Sequence, residues 1–239
     1  MACDHGVWYN QFMELVGPAT RSAEIHAQLR AAILTGAYEA GAALPSERQL
    51  SEELGAGRHA VREALKRLQQ AGLISISQGG ATRVRDWRRH GGLDLLLALG
   101  AEGLGPPELG LVRATLEMRA SVGADAARLC ALRADDATRA EVNARAEALA
   151  ATVDAAARTA IYDVLWDRII DGAGNLAYRL ALNTLVAGQR MLALDASVVG
   201  AEIDDARAVR ALARAIVDGD ADRAHACART LLDRSIPEV

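Results

Sequence analysis

Between positions 22 and 86 the apolar residues recur first at helical and then at strand spacing. From Ser22, Ile25, Leu29, Ile33 and Leu34 share one face of a helix that stops at Gly36. Tyr38 to Leu44 reads as a loop. Pro45-Ser46-Glu47-Arg48-Gln49 then opens a second helix, with Ser46 as the expected N-cap, Gln49 completing a capping box, and Leu50 and Leu54 facing inward. Gly55-Ala56-Gly57 ends it. A third helix over 58–70 sets Val61, Ala64, Leu65 and Leu68 against an opposite face of Arg58, Arg62, Lys66 and Gln69, and halts at Gly72. Leu73-Ile74-Ser75-Ile76 and Thr82-Arg83-Val84-Arg85 alternate like strands around Gln78-Gly79-Gly80-Ala81, a turn suited to a hairpin. Three helices and a hairpin predict a winged helix-turn-helix.

Beyond Glu108 the pattern is helical throughout. Amphipathic segments run over 108–132, 136–156, 159–172, 175–195, 202–218 and 220–234, separated at Asp135-Asp136, Gly172 to Asn175 and Gly219-Asp220 by capping residues. The expected fold is therefore mainly α: an N-terminal winged helix-turn-helix joined to an all-α bundle of six to seven helices. Arg88-Arg89-His90-Gly91-Gly92 reads as a linker, and Pro106-Pro107 marks a boundary before the long helix. The predicted organisation is an N-terminal extension over 1–21, the winged helix over 22–86, a linker with one short apolar helix over 87–106, and the helical domain over 107–235. Val7 to Met13 in the extension is either an amphipathic docking helix or a tail, and Cys3-Asp4-His5 is too short for a metal site.

Composition adds the class. The chain has 239 residues, 51% of them apolar, but only 3% aromatic, so its core must be largely aliphatic. Cys3, Cys130 and Cys227 lie far apart without a CxxC pair, which argues against a disulfide framework or zinc ribbon and for a reducing, cytoplasmic setting. The first twenty residues hold no basic segment followed by an apolar one, and the longest apolar run, Leu93 to Leu99, is broken by Asp94 and too short to span a bilayer, so neither secretion nor membrane insertion is expected. The net charge of -4 disfavours nucleic acid only as an average. Positions 56–90 hold Arg58, Arg62, Lys66, Arg67, Arg83, Arg85, Arg88 and Arg89 against Glu63 and Asp86, whereas 91–239 hold sixteen basic and twenty-two acidic residues. A basic module precedes an acidic one.

An arginine row on an exposed helix suits the major groove, where a guanidinium pairs bidentately with guanine, and a glycine wing tip can approach the backbone or minor groove. The alternative is a solvated basic face; loop, cap, turn and wing in the right order favour DNA. Leu44 to Ser51 followed by Gly57 to Leu65 resembles the signature of GntR-family transcription regulators, over about 22–86. The resemblance implies operator contacts from Arg48, Arg58 and Arg62, with His59 and Gln78 nearby and Gly79 at the wing tip. Gly80 departs from the pattern, since related regulators often place a basic residue there; Arg83 is the candidate to supply that contact instead.

Val112 to Glu117, Ala173 to Tyr178 and Ala211 to Asp220 are similar to strings in the ligand-sensing domain of the FadR subfamily, extending the resemblance to about residue 234. Many members hold a metal with one aspartate and three histidines. Counting from the similar strings puts those ligands at Tyr162, Trp166, Val209 and Leu231, which cannot form an ordinary divalent site, so no metal and no other cofactor is expected. Asp163 and Asp167, one residue on, are an i, i+4 pair lacking further ligands.

The candidate effector residues are Arg113, Tyr162, Trp166, Asn175, Tyr178 and Asn183. Four have a plainer alternative: an i, i+4 pair with Glu117 for Arg113, core packing for Tyr162 and Trp166, and an N-cap for Asn175. The metal-free branch includes an acyl-CoA-responsive regulator, but the C-terminal segment differs from it here. The expected function is a homodimeric, operator-binding transcriptional regulator controlled by an anionic acid or acyl-CoA-like effector. A ligand-independent architectural DNA-binding protein is the alternative. Enzymatic chemistry is not expected, since no nucleophile elbow, phosphate loop or HExxH occurs.

Overall fold

The computed structural model describes residues 20–77, 80–102, 108–191 and 196–237. It divides into two compact units, Met1–Leu95 and Leu96–Val239. The readings made for 1–19, and for Gln78 and Gly79, lie outside the described residues.

In the first unit, α1 (Arg21–Leu34), α2 (Glu47–Glu53) and α3 (Arg58–Gln70) enclose Ile25, Leu29, Ile33, Leu50, Val61, Ala64, Leu65 and Leu68, all buried. The short α2 is held at its start by the anticipated box: Ser46 Oγ accepts from the Gln49 backbone and the Gln49 side chain accepts from the Ser46 backbone. A two-stranded antiparallel sheet follows, β1 (Ile74–Ser75) and β2 (Arg83–Val84), with Ile74 opposite Val84. These strands are shorter than the alternation suggested. The expected loop before α2 in part pairs with the other edge of β2: Val84 N donates to Ala42 O at 2.9 Å, and Gly41 N and Leu44 N donate to Val84 O and Thr82 O, each at 2.8 Å. Backbone pairing across 40 residues leaves no local hydrophobic period, so the sequence pattern could not display it.

The segment expected as a linker begins with one helical turn, α4 (Trp87–His90), capped by Asp86. Gly72 ends α3 with φ +74°, and a Cβ there would lie 2.3 Å from the His90 carbonyl oxygen, so both backbone conformation and space demand glycine.

The short α5 (Leu95–Glu102) precedes the helical unit's main elements: α6 (Glu108–Arg133), α7 (Asp136–Ala151), α8 (Ala155–Gly172), α9 (Leu176–Met191), α10 (Ala196–Ile203), α11 (Ala206–Val217) and α12 (Ala221–Leu232), closed by a 3₁₀ turn over Asp233–Ser235. The 26-residue α6 is central and packs against α8, α9, α11 and α12. Its inward face is built from small residues, Ala120, Ala124, Ala127, Cys130 and Ala131, which lets neighbouring helices approach closely. This explains how a chain poor in aromatics fills a core.

Two helix boundaries differ from the expectation. The break after α7 falls at 152–154, where Asp154 accepts from Ala157 N at 2.8 Å, and the segment 202–218 is split by Asp205, which accepts from Ala208 N at 2.8 Å. Both are aspartate N-caps inside alanine-rich stretches whose propensity alone favours continuous helix.

Candidate nucleic-acid interface and the interior of the helical unit

The capping box and Gly57 set α2 and α3 so that Arg48, Arg58, His59 and Arg62 are all exposed. Arg62 does not project alone: its Nε lies 3.2 Å from both Glu47 carboxylate oxygens and its Nη2 2.9 Å from Oε2. That pair holds the Glu47 carboxyl below its ordinary range, and in return raises the Arg62 guanidinium. Arg48 reaches Glu52 at 3.5 Å, and Lys66 pairs with Glu63 at 2.9 Å. On the wing, exposed Arg83 donates to Gly41 O at 2.9 Å, tying the hairpin to the strand segment before α2. The result is a cationic face whose guanidiniums are held by weak, solvent-screened partners.

In the helical unit the six candidate effector residues do not form one cluster. Tyr162 and Trp166 sit in the main core with Val209 and Leu231, rings 6.3 Å apart and edge to face. Trp166 packs over Gly123, where a Cβ would meet Leu232 Cδ1 at 2.7 Å and the indole at 3.6 Å. Tyr178 belongs to a separate apolar cluster with Ala126, Leu129 and Ala173, and its hydroxyl donates to Asp125 at 2.9 Å. The Asn175 side chain accepts from Ala177 N and Tyr178 N at the start of α9, and Asn183 is exposed. Arg113 pairs with Glu117 at 2.7 Å and donates to the Pro237 carbonyl at 3.1 Å, fastening the C-terminal segment. Asp167 is engaged by Arg179 at 2.8 Å. Among the described residues, no three His, Cys, Asp or Glu side chains are grouped to hold a metal ion.

The polar centre of this unit is one the sequence reading missed. Glu202, fully buried on α10, accepts from Arg119 Nη1 and Nη2 at 2.6 and 2.8 Å, from Tyr162 Oη at 2.5 Å, and from Ser235 Oγ. Burial alone would lower the Arg119 guanidinium, but the Glu202 carboxylate outweighs it and the group lies above its ordinary value; burial and Glu202 raise Tyr162 together. The buried Trp166 Nε1 makes no well-formed hydrogen bond among the described residues, although it lies close enough to the Tyr162 hydroxyl to offset a small part of that rise. A signal was available: Arg119 falls on the same helical face as Leu116, Ala120 and Gly123, and Glu202 is the one charge in the mostly apolar run Ala196–Ile203.

The model of "Bacterial regulatory proteins, gntR family" matches residues 21–84, and that of the "FCD domain" matches 114–234. A relative in Mycobacterium tuberculosis, the HTH-type transcriptional regulator Mce2R, is 38% identical over 220 residues, covering 90% of this chain and 91% of that protein. The fatty acid metabolism regulator protein of Vibrio cholerae is 40% identical over 73 residues, 29% of this chain and 26% of that one. A solved Streptococcus agalactiae GntR structure aligns at TM-score 0.44 and 22% identity, over 88% and 97% of the two chains. Among the described residues no helix is long and apolar enough to cross a membrane.

Proposed function

Since the chain belongs to the GntR family of bacterial transcriptional regulators and carries an effector-binding FCD domain, we propose that it reads a specific operator as a homodimer and is controlled by a small anionic acid or acyl-CoA-like effector. The observation that carries the DNA-reading part is the exposed row of Arg58, His59 and Arg62 along α3, with Arg48 beside it and Arg83 on the wing. α3 is the element that enters the major groove, Arg58 and Arg62 address base edges, and Arg48 and Arg83 address phosphates. Glu47 presents Arg62 in a fixed orientation and yields it to DNA, because a solvent-exposed pair costs little to exchange.

The test is selection of duplexes from a random pool by the full chain, followed by fluorescence anisotropy at several salt concentrations. The expected result is a twofold-symmetric site and an affinity falling steeply with salt. Recovery of no consensus would sink the proposal. One observation favours the second reading, a regulator without an effector: Arg119 is already neutralised within the chain by Glu202. That reading predicts an operator affinity indifferent to every small acid added.

A further inference from the structure

Glu202 is surrounded as a bound ligand would be. A guanidinium, a phenol and a serine hydroxyl, supplied by α6, α8 and the C-terminal turn, all donate to its two carboxylate oxygens. A further donor, the buried Trp166 Nε1, stands beside Tyr162 and makes no well-formed hydrogen bond among the described residues. The walls are apolar, with Ile203, Leu231 and Leu232 in the same core cluster. Such a converging donor set is a carboxylate-recognition site, and bidentate guanidinium pairing makes it selective for a planar two-oxygen anion.

We propose that Glu202 is a tethered stand-in for the effector, and that a free monocarboxylate with an apolar body replaces it on Arg119. This rests on the effector-controlled reading above and specifies its ligand chemistry and switch. The reason is electrostatic. Arg119 cannot be left unpaired in the core, so only an exchange of one carboxylate for another keeps the buried charge balanced; a neutral molecule or a cation does not. The tether sits on the unit's slightest pieces. α10 has eight residues and packs on the 3₁₀ turn, α8 and α11, while Arg158 of α8 holds its C-terminal end by donating to the Ile203 carbonyl. Displacing Glu202 therefore loosens the seat of α10 and removes the buried acceptor that holds Ser235, leaving the turn and the segment after it to exposed or half-buried ties such as Arg229 to Asp233, Arg234 to Asp205 and Arg113 to Pro237.

The experiment uses the full chain, with acetate and octanoate as probes and chloride as the ionic control. Beyond Cβ the Glu202 side chain is itself an acetate, so in E202A acetate should raise the unfolding temperature by several degrees more than in the wild type. In E202Q, which keeps the shape and serves if E202A does not fold, calorimetry should give octanoate a Kd at least tenfold lower than in the wild type. The charge-neutral double variant R119M/E202Q should lose that gain. Hydrogen exchange over 233–237 should quicken when octanoate binds the wild type.

Equal octanoate affinity in wild type and E202Q, or undiminished affinity in R119M/E202Q, overturns the proposal. Operator anisotropy separates the two readings. If octanoate shifts the DNA affinity of the wild type and R119M/E202Q alike, control by an acid stands and the Arg119 site falls. If octanoate occupies Arg119 as described but DNA affinity does not move, the site stands and its regulatory role falls.

Discussion

Each unit of the molecule contains an arginine–glutamate pair, and the two differ chiefly in their access to water. Arg62 and Glu47 lie 2.9 Å apart with side chains 55% and 38% exposed, whereas Arg119 and Glu202 lie 2.6 Å apart at 9% and 0%. Water already solvates the first pair, so parting it costs little and a nucleic-acid phosphate or base edge can take over the guanidinium. The second pair cannot part into water, because either member alone would be a charge stranded in a dry core, and Arg119 can pass only from one carboxylate to another. Exposure, much more than the length of the contact, separates an arginine open to any anionic partner from one that only a second carboxylate can take over.

The strongest way to break this contrast is R119M. Leaving Glu202 buried and unpaired should cost about 3–5 kcal/mol in urea unfolding, while R119M/E202L, which removes both charges, should recover most of it. A loss below about 1 kcal/mol for R119M would put the two pairs on the same footing. Next come R58A and R62A, expected to weaken operator binding roughly ten- to hundredfold with an unchanged unfolding midpoint. A fall in stability without one in affinity would reverse the assignment of Arg62.

A smaller effect concerns acid. Arg62 lowers the Glu47 pKa in the folded chain, so the pair's contribution is present above the usual glutamate range and is lost as pH falls through the lowered value. Unfolding midpoints of wild type and E47Q should accordingly differ at neutral pH and converge below about pH 4. Parallel curves across that window would remove the pair from the acid response. The least effect is chemical: burial pushes the Cys130 thiol up to about 11, so at pH 8 a thiol reagent should modify the half-buried Cys227 well before Cys130, which it reaches only on unfolding.

Legibility in the sequence followed the range of the interactions. Helix 58–70, its buried face and its arginine row were readable because period, glycine stop and charge segregation are local properties, as was the Ser46–Gln49 box. The caps at Asp154 and Asp205 were missed because one aspartate competes there with many helix-favouring alanines. The candidate effector residues were chosen by similarity of short strings, and the structure distributes them among a core, a cap, a surface and a tail contact. Arg119 and Glu202 were overlooked because they lie 83 positions apart and neither belongs to a local motif, although both sit on apolar faces.

By itself, the sequence determined the winged helix-turn-helix followed by a helical bundle, the basic face of α3, and the division of an acidic chain into a cationic and an anionic part. Those follow from hydrophobic periodicity and charge order, which each segment carries alone. The tertiary structure decided that residues 41–44 pair with the wing, that Arg62 is held by Glu47, and that Arg119 meets a glutamate 83 positions away. A charge reveals its role only when its neighbours and its access to water are known, and chain folding over long separations sets both.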